Sequence, residues 1–190
     1  MTADRPKPQR ILAWHFLAGP MPGVLRDGRP APADGEILRH DGPLVLYKSG
    51  LHASVHAIDA LYYASSNIVC RVECGGTIEC GNDKLVCTER RILWRADAEA
   101  TLRAFARWCA LSVIHLRDPA WAAAWAARAS TWASASMTAA WIVAREASMA
   151  AAGAAAWVVA RAAARASAWA VQNVRLEAML LALAPAGGAQ

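Results

Sequence analysis

The sequence predicts a mixed α+β fold: a small α+β head followed by an alanine- and tryptophan-rich α-helical hairpin or rod. Three observations carry this. Short apolar and β-branched runs punctuated by Gly and Pro fill residues 10–95. Stretches of helical period stand at 55–62 and 97–113. From Asp118 to Ala184 the chain is almost wholly Ala, with Trp and Arg set into it. The implied units are a head over 1–117, a helical region over 118–184 and a disordered C-terminus over 185–190.

Met1 to Gln9 reads as a mobile terminus. Arg10–Leu17 (RILAWHFL) is a short apolar strand. The density of Gly and Pro from Ala18 to Gly35 demands successive turns, and a loop of that length is often functional. Glu36–His40 and Pro43–Lys48 then read as two strands of a hairpin turning at Asp41-Gly42. Ser49–Ser54 (SGLHAS) leads into a helix with Ser54 as its N-cap, and Val55, Ile58, Leu61 and Tyr62 share one face of it. Asn67–Cys74 is a strand ended by Gly75-Gly76. Thr77–Cys80 and Lys84–Arg95 form a hairpin about Gly81-Asn82. Asp97 caps a helix whose buried stripe is Leu102, Phe105, Ala106, Cys109 and Val113, with Arg103 and Arg107 facing outward. Val113–Leu116 is a further short strand.

Alanine has the best intrinsic helix propensity, and the preference summed over so long a window makes the tail helical. Asp118-Pro119 supplies an N-cap and a proline at the first helical position; Pro185 and Gly187-Gly188 supply the stop. On one unbroken helix, Trp121, Trp125, Trp132 and Trp157 share a face with Arg128, Arg161 and Arg175, which is no clean amphipathic pattern. A break near Gly153 into two antiparallel helices is favoured over one rod. Trp121, Trp125, Trp132, Trp141, Trp157 and Trp169 form an apolar surface suited to self-association or to docking on the head.

Residues 1–10 carry charges and two prolines with no apolar core, so no secretory signal is expected. A bacterial-type cytosol follows, with the five cysteines reduced. The longest uncharged run of the tail, Ala129–Ala144, falls short of the roughly 20 apolar residues a membrane span needs. The net charge of +5 permits nucleic acid or acidic partners. Arg far outnumbers Lys, and Ala is everywhere, so the coding bias of a GC-rich genome is the favoured cause of that charge.

No CxxC pair exists among Cys70, Cys74, Cys80, Cys87 and Cys109, so the cysteines read as small core residues and no metal is expected. Gly75-Gly76 precedes a strand rather than a helix, so there is no phosphate-cradling glycine loop. Glu89-Arg90-Arg91 reads as a solvated strand edge. Ser54 lacks the surroundings of a nucleophile and is explained as a helix cap. His15, His52 and Ser54 converge if their segments are neighbours in a sheet.

The run Leu46–Trp94 (LYKSGLHAS, DALYYA, IVCRVECGG and DKLVCTERRILWR), with WHFL and DGEILRHDGPL before it and FARWCAL and QNVRLEAML after it, resembles a family of uncharacterised proteins from phages and GC-rich bacteria. The resemblance implies a phage or prophage setting and no mechanism. A weaker likeness is to ADP-ribosyltransferases: a strand with His, a Gly-x-His-x-Ser segment, a helix with Ala-x-x-Tyr, then a Val-rich strand. It implies a nicotinamide-nucleotide site at His15, Ser54 and Tyr62, with Glu89 on a later strand. The His-Gly-Thr of those enzymes is missing, since Phe16-Leu17 follows His15.

The expected function is a phage-type, non-enzymatic binding or inhibitor protein: a host-defence antagonist, or a protein that sequesters a ligand or another protein. It is expected to assemble as a homo-oligomer through its tail, with no catalytic residue and no cofactor. The candidate ligand-binding residues are His15, Lys48, His52, Ser54 and Tyr62. The expected partner is a host protein or a small nucleotide, met in the cytosol and not at a membrane. An ADP-ribosyltransferase-like enzyme and a non-specific nucleic-acid binder are the alternatives.

Overall fold

In a computed structural model of the chain, the described residues are 10–112, 145 and 158–186. They form an antiparallel sheet with three helices. The elements are β1 (Ile11–Phe16), β2 (Ile37–Arg39), β3 (Leu51–Ala53), α1 (Ala57–Tyr62), β4 (Ile68–Cys80), β5 (Leu85–Asp97), α2 (Glu99–Ser112) and α3 (Val158–Leu181).

The long β4–β5 hairpin is the frame. β1 lies along the outer edge of β4, from Ile11 opposite Cys74 to Phe16 opposite Val69. The other edge of β5 is shared: β3 pairs with Leu85–Cys87 and β2 with Glu89–Arg91. Beyond β3, the Trp14 amide donates to the Ser54 carbonyl at 2.7 Å and the Ser54 amide to the Trp14 carbonyl at 3.0 Å. The sheet therefore curls until its two edges meet at this bridge.

Two bulges make the curl. Val72 faces Ile92 and Arg71 faces Trp94, so Leu93 is an extra residue on β5. Gly75 faces Glu89 and Ile78 faces Cys87, so Gly76 and Thr77 together oppose Thr88. Gly76 has φ +71°, and a Cβ there would fall 2.1 Å from Thr88 Oγ1. Gly75-Gly76 thus bends the strand where an end was expected, because β5 keeps pairing with the residues on either side.

Alternate residues of β1 serve two cores. Ala13 and Leu17 join Cys70, Val72, Cys74, Cys87 and Ile92 in one cluster. Trp14 and Phe16 join Trp94, Ile58, Leu61, Leu102 and Phe105 beneath the helices, where Trp14 and Trp94 meet edge to face at 6.0 Å. The expected stripe of α2 is buried at Leu102, Phe105, Ala106 and Cys109, and the Asp97 carboxylate accepts the Glu99 amide at 2.9 Å. Leu176 and Leu180 of α3 complete this same cluster, so the end of the helical region packs onto the head.

Two expected local structures are corrected. Pro43–Lys48 is no strand: Val45 and Ser49 exchange amide–carbonyl bonds of 2.9 and 2.8 Å in a tight turn, with Tyr47 at φ +67°. A left-handed residue cannot continue a ladder, so β2 turns to β5 for its partner. Ser54 does not cap α1, because its backbone is engaged by Trp14; His56 holds the N-cap position without a side-chain cap bond. The cap comes from α3 instead. Asn173 Oδ1 accepts the Ile58 amide at 3.1 Å, and Glu177 Oε1 accepts the Ala57 amide at 3.2 Å.

Val113, the strand expected at 113–116, the Asp118 cap, the break near Gly153, and Trp121, Trp125, Trp132, Trp141 and Trp157 lie outside the described residues. So does the question of hairpin or rod. Trp169 is half-buried, and its Nε1 donates to Asp59 of α1 at 3.4 Å. No helix among the described residues is long and apolar enough to cross a membrane.

Candidate ligand-binding site

A cavity of about 700 Å³ opens where β1 and β3 meet. His15, Lys48, His52 and Ser54 all line it, and the Trp14–Ser54 bridge brings His15, His52 and Ser54 together. Tyr62 does not. It is 50% exposed and packs edge-on against Tyr63 at 4.7 Å, and Tyr63 is the tyrosine that lines the cavity. The turn 45–49 brings Tyr47 and Lys48 to the wall, and the long loop brings Arg26, Asp27 and Arg29. Arg95 holds that loop in place: Nε donates to Asp34 at 2.7 Å, Nη1 to the Pro22 carbonyl at 2.8 Å, and Nη2 to the Pro32 carbonyl.

Arg90 dominates the interior. It is 5% exposed, its Nη1 donates to the His52 carbonyl at 2.6 Å, and it has no carboxylate partner among the described residues. Burial lowers its pKa, yet an arginine stays charged in proteins. The expectation of a solvated Glu89-Arg90-Arg91 edge fails at this residue because β5 is a central strand, paired on both sides. Its neighbours do face out: Glu89 pairs with Arg39, and Arg91 donates to Glu73 at 2.7 Å. The readable signal was parity, since Arg90 lies two residues from Ile92 in a strand of alternating burial.

Lys84, at the foot of β5, places Nζ 3.3 Å from the centroid of the Tyr63 ring and 5.4 Å from that of Tyr47. Both tyrosine hydroxyls donate to Asp83, each at 2.7 Å. Burial would raise the Asp83 carboxyl, but the two hydroxyls and Lys84 outweigh it and leave it low. Burial holds the Lys84 ammonium below its ordinary range.

Burial, then the charges of Arg90 and Lys84, hold the His15 imidazole well below the usual histidine value. His52 is lowered by burial and by Lys84. His52 Nε2 accepts the Tyr47 amide at 2.9 Å, which fixes this nitrogen as unprotonated. The site is thus a cationic chamber with neutral imidazoles and two braced tyrosine rings. The residues implied by the likeness to ADP-ribosyltransferases do not converge, since Tyr62 and Glu89 both lie outside the cavity wall.

The cysteines are free, and Cys70, Cys74, Cys87 and Cys109 are buried. Burial pushes the Cys70 thiol up to about 12. Among the described residues, no group of three His, Cys, Asp or Glu side chains is placed to hold a metal ion.

No curated protein and no solved structure matches the chain. A family model does match part of it, from before β2 into α2. That segment includes Lys48, His52, Ser54, Lys84 and Arg90 but leaves out His15 and α3. Over residues 32–104 the chain is similar to DUF7666, a domain of unknown function.

Proposed function

We propose that this is a binding protein that holds a small organic anion in the cavity between β1 and β3. The observation that carries the reading is Arg90, a buried cation facing the cavity and paired with no carboxylate among the described residues. An unpaired buried charge costs several kcal/mol, and an anion seated in the cavity offsets that cost. Binding is favoured over turnover because, among the described residues, the Ser54 hydroxyl makes no hydrogen bond to an imidazole of the wall and Glu89 is paired with Arg39.

The finer reading is a phage-type sequestering or inhibitor protein acting in the host cytosol. It rests on the sequence resemblance. Assembly through the Ala/Trp region rests on its tryptophan content, and native mass spectrometry tests it: a monomer would remove it.

Thermal melting in citrate, pyrophosphate and ADP tests the anion reading. A ligand that binds only the native state raises Tm with concentration. The rise is expected in the natural chain and lost in Arg90→Met. A Tm indifferent to every anion at millimolar concentration would end the proposal.

A further inference from the structure

Resting on that reading, we infer that the anion is a phosphate-bearing ring compound of nucleotide size, and that His15 takes up a proton when it binds.

Charge sets the ligand class. Asp27 is the one carboxylate on the wall, and Arg29 already holds it at 2.7 and 2.9 Å. Arg26, Lys48, Lys84 and Arg90 face the same space with no ion pair among the described residues. A single carboxylate leaves most of that charge unanswered. A phosphate or diphosphate brings at least two negative charges and several acceptor oxygens, matching the fork of Arg90 and the donors of two lysines. The volume of about 700 Å³ lies in the range of sites for ligands of this size.

The tyrosines supply the ring-binding half. Tyr47 is a bulky residue at φ +67°, a conformation that costs free energy and persists only where its surroundings impose it. Those surroundings are named: its amide is held by His52 Nε2 and its hydroxyl by Asp83. Tyr63 is tied to the same carboxylate, and the two rings flank Lys84. Tyr47, an exposed ring, offers flat apolar surface at this mouth next to phosphate donors, and Tyr63, one face of which Lys84 covers, braces it through the shared carboxylate.

The proton follows from what faces His15. On β5 and its approach stand Arg90 and Lys84; on β3, His52; on β4, the Cys70 thiol opposite it in register. The loop contributes the Arg29–Asp27 pair and Arg26, the turn Lys48, the end of β2 His40, and the end of α1 the Tyr63 ring. Of the charges here, Asp27 is held by Arg29, Asp83 lies behind the two tyrosine hydroxyls beside Lys84, and the others are positive, so the empty cavity keeps His15 neutral. A phosphate among Arg90, Lys84 and His15 reverses the local field and favours imidazolium. His52 does not compete for the proton, because protonating its Nε2 would break the bond from the Tyr47 amide. The proton comes from buffer and resides on His15, which then donates to a phosphate oxygen.

Titration calorimetry of ADP at neutral pH, in two buffers of different ionisation heat, reads both halves. Expected are binding of ADP, weaker binding of pyrophosphate, none of adenosine, and a buffer-dependent heat showing proton uptake. In His15→Gln, ADP binds more weakly and the buffer dependence disappears; an unchanged Tm at alkaline pH, where His15 is neutral anyway, shows that the variant folds. In Tyr63→Leu, ADP weakens more than pyrophosphate. Equal heats of ADP binding in both buffers would overturn the proton uptake. Adenosine binding as tightly as ADP, or citrate more tightly than either phosphate, would overturn the ligand class; citrate binding alone would leave the anion reading standing. No binding of any anion would remove both.

Discussion

The Arg90 guanidinium donates to the His52 carbonyl at 2.6 Å, and that carbonyl is its one hydrogen-bond partner among the described residues. A strand residue that should have been solvated is instead a buried cation above a cavity. Replacing a buried, poorly compensated ion with an apolar side chain is often neutral or stabilising. Arg90→Met should therefore leave the Tm of the ligand-free protein unchanged or raise it, while removing the anion response. A loss above about 2 kcal/mol in denaturant melts would make Arg90 a structural strut instead.

His15 gives a pH dependence whose sign is fixed. Its folded pKa lies well below the unfolded value of 6.5, so between the two the unfolded chain binds more protons than the native one. The stability that neutral His15 contributes is present above 6.5 and is lost as the pH falls from there towards the folded pKa. Chemical denaturation across this window should show a slope that His15→Gln flattens. Parallel slopes for the two proteins would contradict the buried neutral imidazole.

The α1 cap from α3 makes a third prediction. Losing a helix N-cap costs about 1 kcal/mol, within a range of 0.5–2. Asn173→Ala should cost that much, and Glu177→Ala somewhat less, since Glu177 is only partly buried. Ser54→Ala should cost less than Asn173→Ala, although a reading of the sequence alone reverses that order. Equilibrium urea melts of the three variants decide it.

Gly76→Ala should be among the more damaging changes in the sheet. The left-handed φ and the approach of Thr88 Oγ1 act together at this bulge, and strain of this kind costs roughly 1–3 kcal/mol. If Thr88→Ala, which removes Oγ1, restored most of the loss, the clash would be the larger part; if it did not, the backbone would be.

The elements best read from sequence were those whose signal is local. β1, the hairpin at Gly81-Asn82 and the buried stripe of α2 each follow from residue period and turn chemistry within a dozen residues. What escaped depends on partners far away in the chain. Ser54 looks like a cap until the Trp14 ladder takes its backbone. Pro43–Lys48 looks like a strand until Tyr47 takes a left-handed φ. The site followed the same division. His15 and His52 were marked by type and by nearness in a possible sheet, whereas Arg90 was hidden by two charged neighbours that do face out. Tyr62 was marked through the likeness to ADP-ribosyltransferases, and the structure puts its neighbour Tyr63 on the wall instead.

The order in which the chain is made gives the capping of α1 a temporal meaning. Its first amides leave the ribosome 115 and 120 residues ahead of the side chains that satisfy them. Until α3 is synthesised, the helix that precedes Tyr63 stands with open amides and without Leu176 and Leu180 in the core beneath it. A nascent chain halted before Asn173 has the whole sheet and every cationic group of the cavity, but not the brace that holds α1 against it. The proposed site therefore gains this brace only after its own wall has been made.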